Sequence, residues 1–169
     1  MKKIILGLLL SVALLVVFGL DAKAQSAKEG TYSATEYNSG TFKFLVMGEE
    51  RLHMTYEAMG VVVNDAGEGF GHNCSVHFLG ALHAVKGINV QENGFWVSTD
   101  PDGDKVFLTY KVTSGKVGVS SKGTFTFVGG TGKWTGITGG GEFTWNAVHP
   151  AAEGTSQGIT KSKGHWKLP

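Results

Sequence analysis

Apolar and polar residues alternate along most of this chain with a period of two, the repeat of extended strands whose successive side chains point to opposite faces. Phe42, Phe44 and Val46 alternate against Thr41 and Lys43; from Arg51 to Val63, Leu52, Met54, Tyr56 and Ala58 share one parity while His53, Thr55 and Glu57 share the other. The same spacing puts Phe70, His72, Cys74, Val76 and Phe78 on one side, and further on Val106, Leu108, Tyr110 and Val112. Phe125 with Phe127, and Phe143 with Trp145, continue it. An extended opening over Thr31–Tyr37 and Thr41–Val46, a weaker strand over Leu82–Val90 broken by Gly87, and a last strand near Ile159–Leu168 complete the pattern. It predicts about eight strands and no amphipathic helix, hence an all-β fold, a closed antiparallel β-barrel or a sandwich.

Turn chemistry separates these segments. Asn64-Asp65-Ala66-Gly67, Asp100-Pro101-Asp102-Gly103 and Ser114-Gly115 each close a strand, and Asn93-Gly94 predicts a tight hairpin before Phe95-Trp96-Val97. His149-Pro150 ends another strand, because proline cannot donate to a ladder. Between Gly129 and Gly141, seven of thirteen residues are glycine, joining strands Val119–Val128 and Gly141–Val148 into one long hairpin. Such density marks backbone that turns sharply or approaches other backbone closely. With 26 glycines in 169 residues, about twice the usual share of roughly 7%, the composition suits a turn-rich β domain.

The N-terminus follows a different rule. Lys2 and Lys3 precede an apolar run from Ile4 to Leu20, and Ala22-Lys23-Ala24 offers a small-x-small cleavage site. This predicts a signal peptide over 1–24 and a single domain over 25–169, exported to the periplasm or secreted, with a retained anchor as the alternative. The chain carries a formal charge of +1, and three of its lysines fall in the first 24 residues. What remains is nearly neutral, without a basic footprint for nucleic acid and with no stable membrane association expected after cleavage. Cys74 is the only cysteine, so no disulfide forms within the chain.

Candidate chemistry is sparse, and each motif fails at a specific residue. Gly132-Lys133 hints at a phosphate loop, but Phe127 and Trp134 stand where glycine and Ser or Thr are needed. Asp100, Asp102 and Asp104 open like a calcium loop, yet Lys111 occupies the position of the bidentate glutamate, which favours a solvated turn. Gly154-Thr155-Ser156-Gln157-Gly158 matches a serine elbow without its strand–helix context or a downstream acid before His165. His72, Cys74, His77 and His83 have metal-ligand chemistry, but alternation points His72 and Cys74 away from His77. No metal and no cofactor is expected.

The segment GTFTFVGGTGKWTGITGGGEF, with its strand at Phe125–Val128, Gly129–Gly132 turn, Trp134 and Gly136–Gly139 step, resembles the C-terminal signature of the allene oxide cyclase and dirigent superfamily. The resemblance covers about twenty residues. It implies an eight-stranded antiparallel barrel, often a homotrimer, whose interior accepts apolar or phenolic molecules and whose members cyclise or orient substrates without a cofactor. It transfers no catalytic residue. The functional expectation is an interior site walled by Phe70, Phe125, Phe127, Phe143 and Trp145, with Tyr56, His72, Cys74 and Tyr110 as its polar contacts. The same side chains equally suit a filled core. An isomerase or cyclase, and a non-catalytic envelope or matrix protein, are the alternatives.

Overall fold

The computed structural model describes residues 27–169, so the signal peptide expected over 1–24 lies outside the described residues. Eight antiparallel strands form a closed meander: β1 (Glu29–Val46), β2 (Arg51–Asn64), β3 (Cys74–Val85), β4 (Ile88–Thr99), β5 (Lys105–Lys116), β6 (Ser120–Gly130), β7 (Thr138–Val148) and β8 (Thr155–Lys167). β1 closes the barrel on β8, from Glu29 opposite Lys167 to Thr41 opposite Thr155. Closure pairs every strand on both sides and leaves no sheet edge. The loops after β2, β4 and β6 gather at the end that also holds both described termini.

Alternation sorts the side chains as the sequence predicts. In β5, Val106, Leu108, Tyr110 and Val112 are buried, and in β6 Ser121, Gly123, Phe125 and Phe127 are. One inward row sets the shape of the interior. Phe42, Tyr56, Gly80, Gly94, Tyr110, Phe125, Gly141 and Gly164 are successive cross-strand partners around the wall. Two bulky residues are followed by two glycines, twice over. A Cβ at Gly80 would overlap both tyrosine hydroxyls, and one at Gly141 or Gly164 would crowd the Phe125 ring. Aromatic side chains from one wall therefore fill the space left empty by glycine on the other.

Three expectations are corrected. Asn93-Gly94 is not a hairpin turn: both residues lie inside β4, and the β3–β4 turn is Lys86-Gly87, each left-handed at φ 53° and 75°. Gly94 is glycine because Tyr110 and the Leu79 carbonyl leave no room for a side chain. Phe70 and His72 do not precede Cys74 on a strand. They lie in the β2–β3 loop, where Gly67, Gly69, Gly71 and Asn73 all have positive φ, which breaks extended geometry. Finally, β5 continues past Ser114-Gly115 to turn at Gly118, φ 69°. The extended opening over Thr31–Tyr37 and Thr41–Val46 is present as one strand.

Gly94→Ala inserts a methyl group between Leu79 and Tyr110 and should destabilise the barrel by about 2 kcal/mol, in the range of core overpacking. Urea unfolding measures this, and a loss below about 0.5 kcal/mol would show that the row tolerates a side chain.

Candidate functional site

The interior is mostly filled by side chains but keeps a cavity of about 60 Å³ towards the end carrying the termini, lined by Tyr32, Glu36, Cys74, Trp96, Tyr110 and Phe125 among others. Its roof is aromatic. Phe70 descends from the β2–β3 loop to stack on Trp166 at 5.4 Å between ring centroids, and Trp134 meets both edge-on, at 5.0 Å and 5.8 Å. Ile137, 2% exposed, belongs to the same cluster.

The glycine-dense loop is fastened over this roof by a clasp. Asp100, its side chain only 7% exposed, accepts from the Lys133 ammonium at 2.7 Å, from Trp134 Nε1 at 2.9 Å and from the backbone N–H groups of Asp102 and Asp104. Asp102 takes a second contact from Lys133, and Asp104 accepts from the Lys133 backbone N–H at 3.1 Å. Burial pushes the Asp100 carboxyl up, but these donors outweigh it and hold it below the usual range. Gly132, φ 52°, leaves room for the Asp104 carboxylate. The aspartates that suggested a calcium loop thus face a lysine, and Asp100 is not a solvated turn residue.

Two interior carboxyls escaped the sequence analysis. Glu36, 2% exposed, projects from β1 into the cavity wall; Asn38 Nδ2 donates to its Oε1 at 2.7 Å, and Oε2 has no partner within the chain. Burial raises its pKa to about 8, against the lesser pull of Asn38. The indole Nε1 of Trp96, another cavity residue, is also buried and unpartnered. Glu92, on β4, is satisfied instead: Tyr56 donates to Oε1 at 2.6 Å, Asn89 Nδ2 donates to Oε2, and the Tyr56 and Tyr110 hydroxyls lie 2.7 Å apart. Burial raises Glu92 despite those donors, and raises both tyrosines. Glu36 shares the inward parity of Tyr32 and Ala34, which could have exposed it; the Asn93-Gly94 turn signal hid Glu92.

Phe70, Cys74, Tyr110, Phe125, Phe127 and Phe143 all line the cavity. Tyr56 sits behind Tyr110 and reaches the cavity only through it. Trp145 faces inward nearer the opposite end, its Nε1 donating to Asn38 Oδ1 at 3.3 Å. His72 is a loop residue with a buried, unpartnered Nδ1, and it does not line the cavity. Cys74 points inward, whereas His77 is exposed and bonded to Glu57 at 2.7 Å. Among the described residues no group of three or more His, Cys, Asp or Glu could hold a metal ion. Nor is any described helix long and apolar enough to cross a membrane.

A larger groove of about 470 Å³ runs over the outer wall of β1–β4 past Lys43, Glu57, Leu79 and Phe95. It is open to solvent, and neither Glu36 nor Trp96 borders it, so chemistry favours the smaller inner cavity.

These features define a closed eight-stranded meander barrel with a capped, mainly apolar cavity that holds a few buried polar groups. No family model and no curated protein matches the sequence. Among solved structures, the chain is similar to the structure of the pterocarpan synthase dirigent protein GePTS1, with 8% identity and a TM-score of 0.49 over 84% of this chain and 91% of that one. The likeness is weak and partial.

Glu36 makes stability depend on pH. Its folded pKa of about 8 exceeds the ordinary 4.5; as pH rises between these values the unfolded chain ionises first, so the folded state is progressively disfavoured. Glu36→Gln abolishes that dependence. The variant should gain on the wild type by about 2–5 kcal/mol between pH 5 and pH 8, measured by urea unfolding; a constant difference across that range would mean Glu36 does not titrate there.

Proposed function

We propose that this barrel binds a small neutral molecule in the cavity beneath the Phe70–Trp134–Trp166 roof. The observation that carries the reading is the pair of unpartnered buried polar atoms on cavity residues, Glu36 Oε2 and Trp96 Nε1. A buried polar atom left unsatisfied costs about 1–3 kcal/mol, which a ligand with complementary atoms recovers. Indole N–H can only donate, and a carboxyl with a pKa of about 8 is mainly protonated at neutral pH. Both therefore suit a carbonyl-type oxygen. An anion would meet Glu36 and no opposing cation, since Lys133 is committed to Asp100 and Asp102.

Size narrows the class further. A water needs roughly 10–15 Å³ by this measure, so about 60 Å³ holds four to six atoms of that size. A fatty acid or a phenolic ring enters only if the roof moves. The exported destination belongs to the same proposal and rests on the Lys2–Ala24 pattern alone; a purified mature chain whose mass retains residues 1–24 would remove it.

The probe is 1-hydroxybutan-2-one, a six-heavy-atom neutral hydroxyketone, followed by ligand-observed NMR. Saturable binding is expected, weakened roughly tenfold in Trp96→Phe, which deletes the donor and keeps an aromatic wall. Absence of saturation for this and other small carbonyl compounds would leave the filled, non-catalytic scaffold as the better account. A second reading, isomerase, is favoured by one fact: a carboxyl of pKa about 8 both gives and takes protons near neutrality. Ionised Glu36 would take a proton from C1 of the hydroxyketone to leave an enediolate, the hydroxyl proton would pass from O1 to O2 within it, and Glu36 would return its proton to C2 to give 2-hydroxybutanal. Deuterium entering C1 in heavy water no faster than in buffer would exclude this reaction.

A further inference from the structure

The β1–β2 hairpin runs past the closed part of the sheet. Pairing of β1 with β8 ends at Thr41 opposite Thr155, whereas pairing with β2 continues to Val46 opposite Leu52. The segment Phe42-Lys43-Phe44-Leu45-Val46 therefore has a neighbouring strand on one side only. Phe44, Leu45 and Val46 are 61%, 62% and 63% exposed. Successive residues of a strand point to opposite faces, so neither face of this segment is covered by the rest of the barrel. An apolar edge of this kind is a template for another strand.

The direction of its backbone groups follows from the turn. Met47 N–H donates to the Arg51 carbonyl at 2.9 Å, and hydrogen-bonded pairs alternate along an antiparallel ladder. Lys43 and Leu45 therefore spend their backbone groups on β2, while the N–H and C=O groups of Phe42, Phe44 and Val46 point the other way. Gly40 belongs to the same series: its carbonyl is directed at β8, where Ser156 Oγ donates to it at 3.5 Å. Past the end of β8 the series meets no strand among the described residues.

We infer that two copies of the chain pair through this edge, antiparallel and about a two-fold axis at Phe44, joining their β1–β2 hairpins into one sheet. A second copy fits because the segment is complementary to itself. With Phe44 opposite its own counterpart, Phe42 lies opposite the partner's Val46, and the outward backbone groups of Phe42, Phe44 and Val46 all find partners. These side chains share one face, on which the Phe42 and Phe44 rings already stack at 6.1 Å, so pairing builds a continuous apolar face from both copies. On the other face Lys43 lies beside the partner's Leu45. An axis at Lys43 would oppose two ammonium groups, and one at Leu45 would set Phe42 against Gly48, beyond the end of the strand. Because the same edge serves both copies, the contact closes at a dimer and does not propagate.

Sedimentation velocity of the purified protein over a range of concentrations should show a monomer–dimer equilibrium. Amide hydrogen exchange at Phe44 and Val46 should slow as the dimer fills, because pairing occupies N–H groups that face water in the monomer. Leu45 is exposed, so replacing it leaves the barrel itself intact. Leu45→Glu sets a carboxylate opposite Lys43 on both sides of the axis and Leu45→Lys sets an ammonium there, while both lose the same leucine. The dimer dissociation constant of Leu45→Glu should be lower than that of Leu45→Lys by roughly tenfold at low salt, and the gap should narrow as salt is added. Equal constants for the two variants overturn the inference, as does a dimer whose Phe44 amide exchanges as fast as the monomer's. A trimer overturns it too, because a two-fold contact between like edges cannot close a ring of three. A monomer at every concentration also overturns it and leaves the edge to an extended peptide or a lipid surface.

Discussion

The interior depends on one packing constraint: aromatic side chains on two neighbouring strands need glycines on the strands they face. In the row Phe42–Tyr56–Gly80–Gly94–Tyr110–Phe125–Gly141–Gly164 the bulky and empty positions come in pairs around the wall. A small barrel has too little room for a large inward side chain on every strand and too much if all are small. Grouping them lets the tyrosine hydroxyls cross to the backbone of β3 and β4 and meet each other and Glu92 there. The polar chain is a consequence of the packing, because that gap brings Tyr56, Tyr110 and Glu92 within hydrogen-bonding distance.

The same logic accounts for the end that carries the termini. A barrel mouth leaves inward residues of the last rows without neighbours, and here the β2–β3 and β6–β7 loops supply them as Phe70, Trp134 and Ile137. Trp134 can serve as roof only if its loop is fixed, and Asp100 fixes it by binding both its indole N–H and the neighbouring Lys133. Left-handed glycines at 132 and 136 let the loop turn tightly enough to reach. The glycine-dense stretch therefore contributes a lid as well as a hairpin.

Strand number, inward parity and the turn at Asp100–Gly103 were legible because period-two alternation is a local signal that barrel closure does not disturb. What was not legible came from contacts between distant strands. Asn93-Gly94 has the chemistry of a hairpin turn, and nothing near it in sequence reveals that Tyr110 occupies the space beside Gly94. Phe70 and His72 share a parity with Cys74, but four left-handed residues override alternation between Gly67 and Asn73. Glu36 shares its parity with Tyr32 and Ala34, a local signal weakened because the outward face of the same strand is equally polar. Its significance emerges only once Tyr32, Trp96 and Phe125 close around it.

Glu36 and Glu92 are both carboxyls inside one apolar barrel, and the difference between them separates scaffold from site. Glu92 has donors on both oxygens, an arrangement in which a buried polar group holds its neighbours in place at little net cost. Glu36 has a donor on one oxygen only, and the other faces the cavity with Trp96 Nε1 similarly unused. A core selected for stability alone would carry an apolar residue at position 36, since unsatisfied burial is among the more damaging features a core can have. Glu92 is explained by the protein's own structure; Glu36 requires something the barrel does not itself contain.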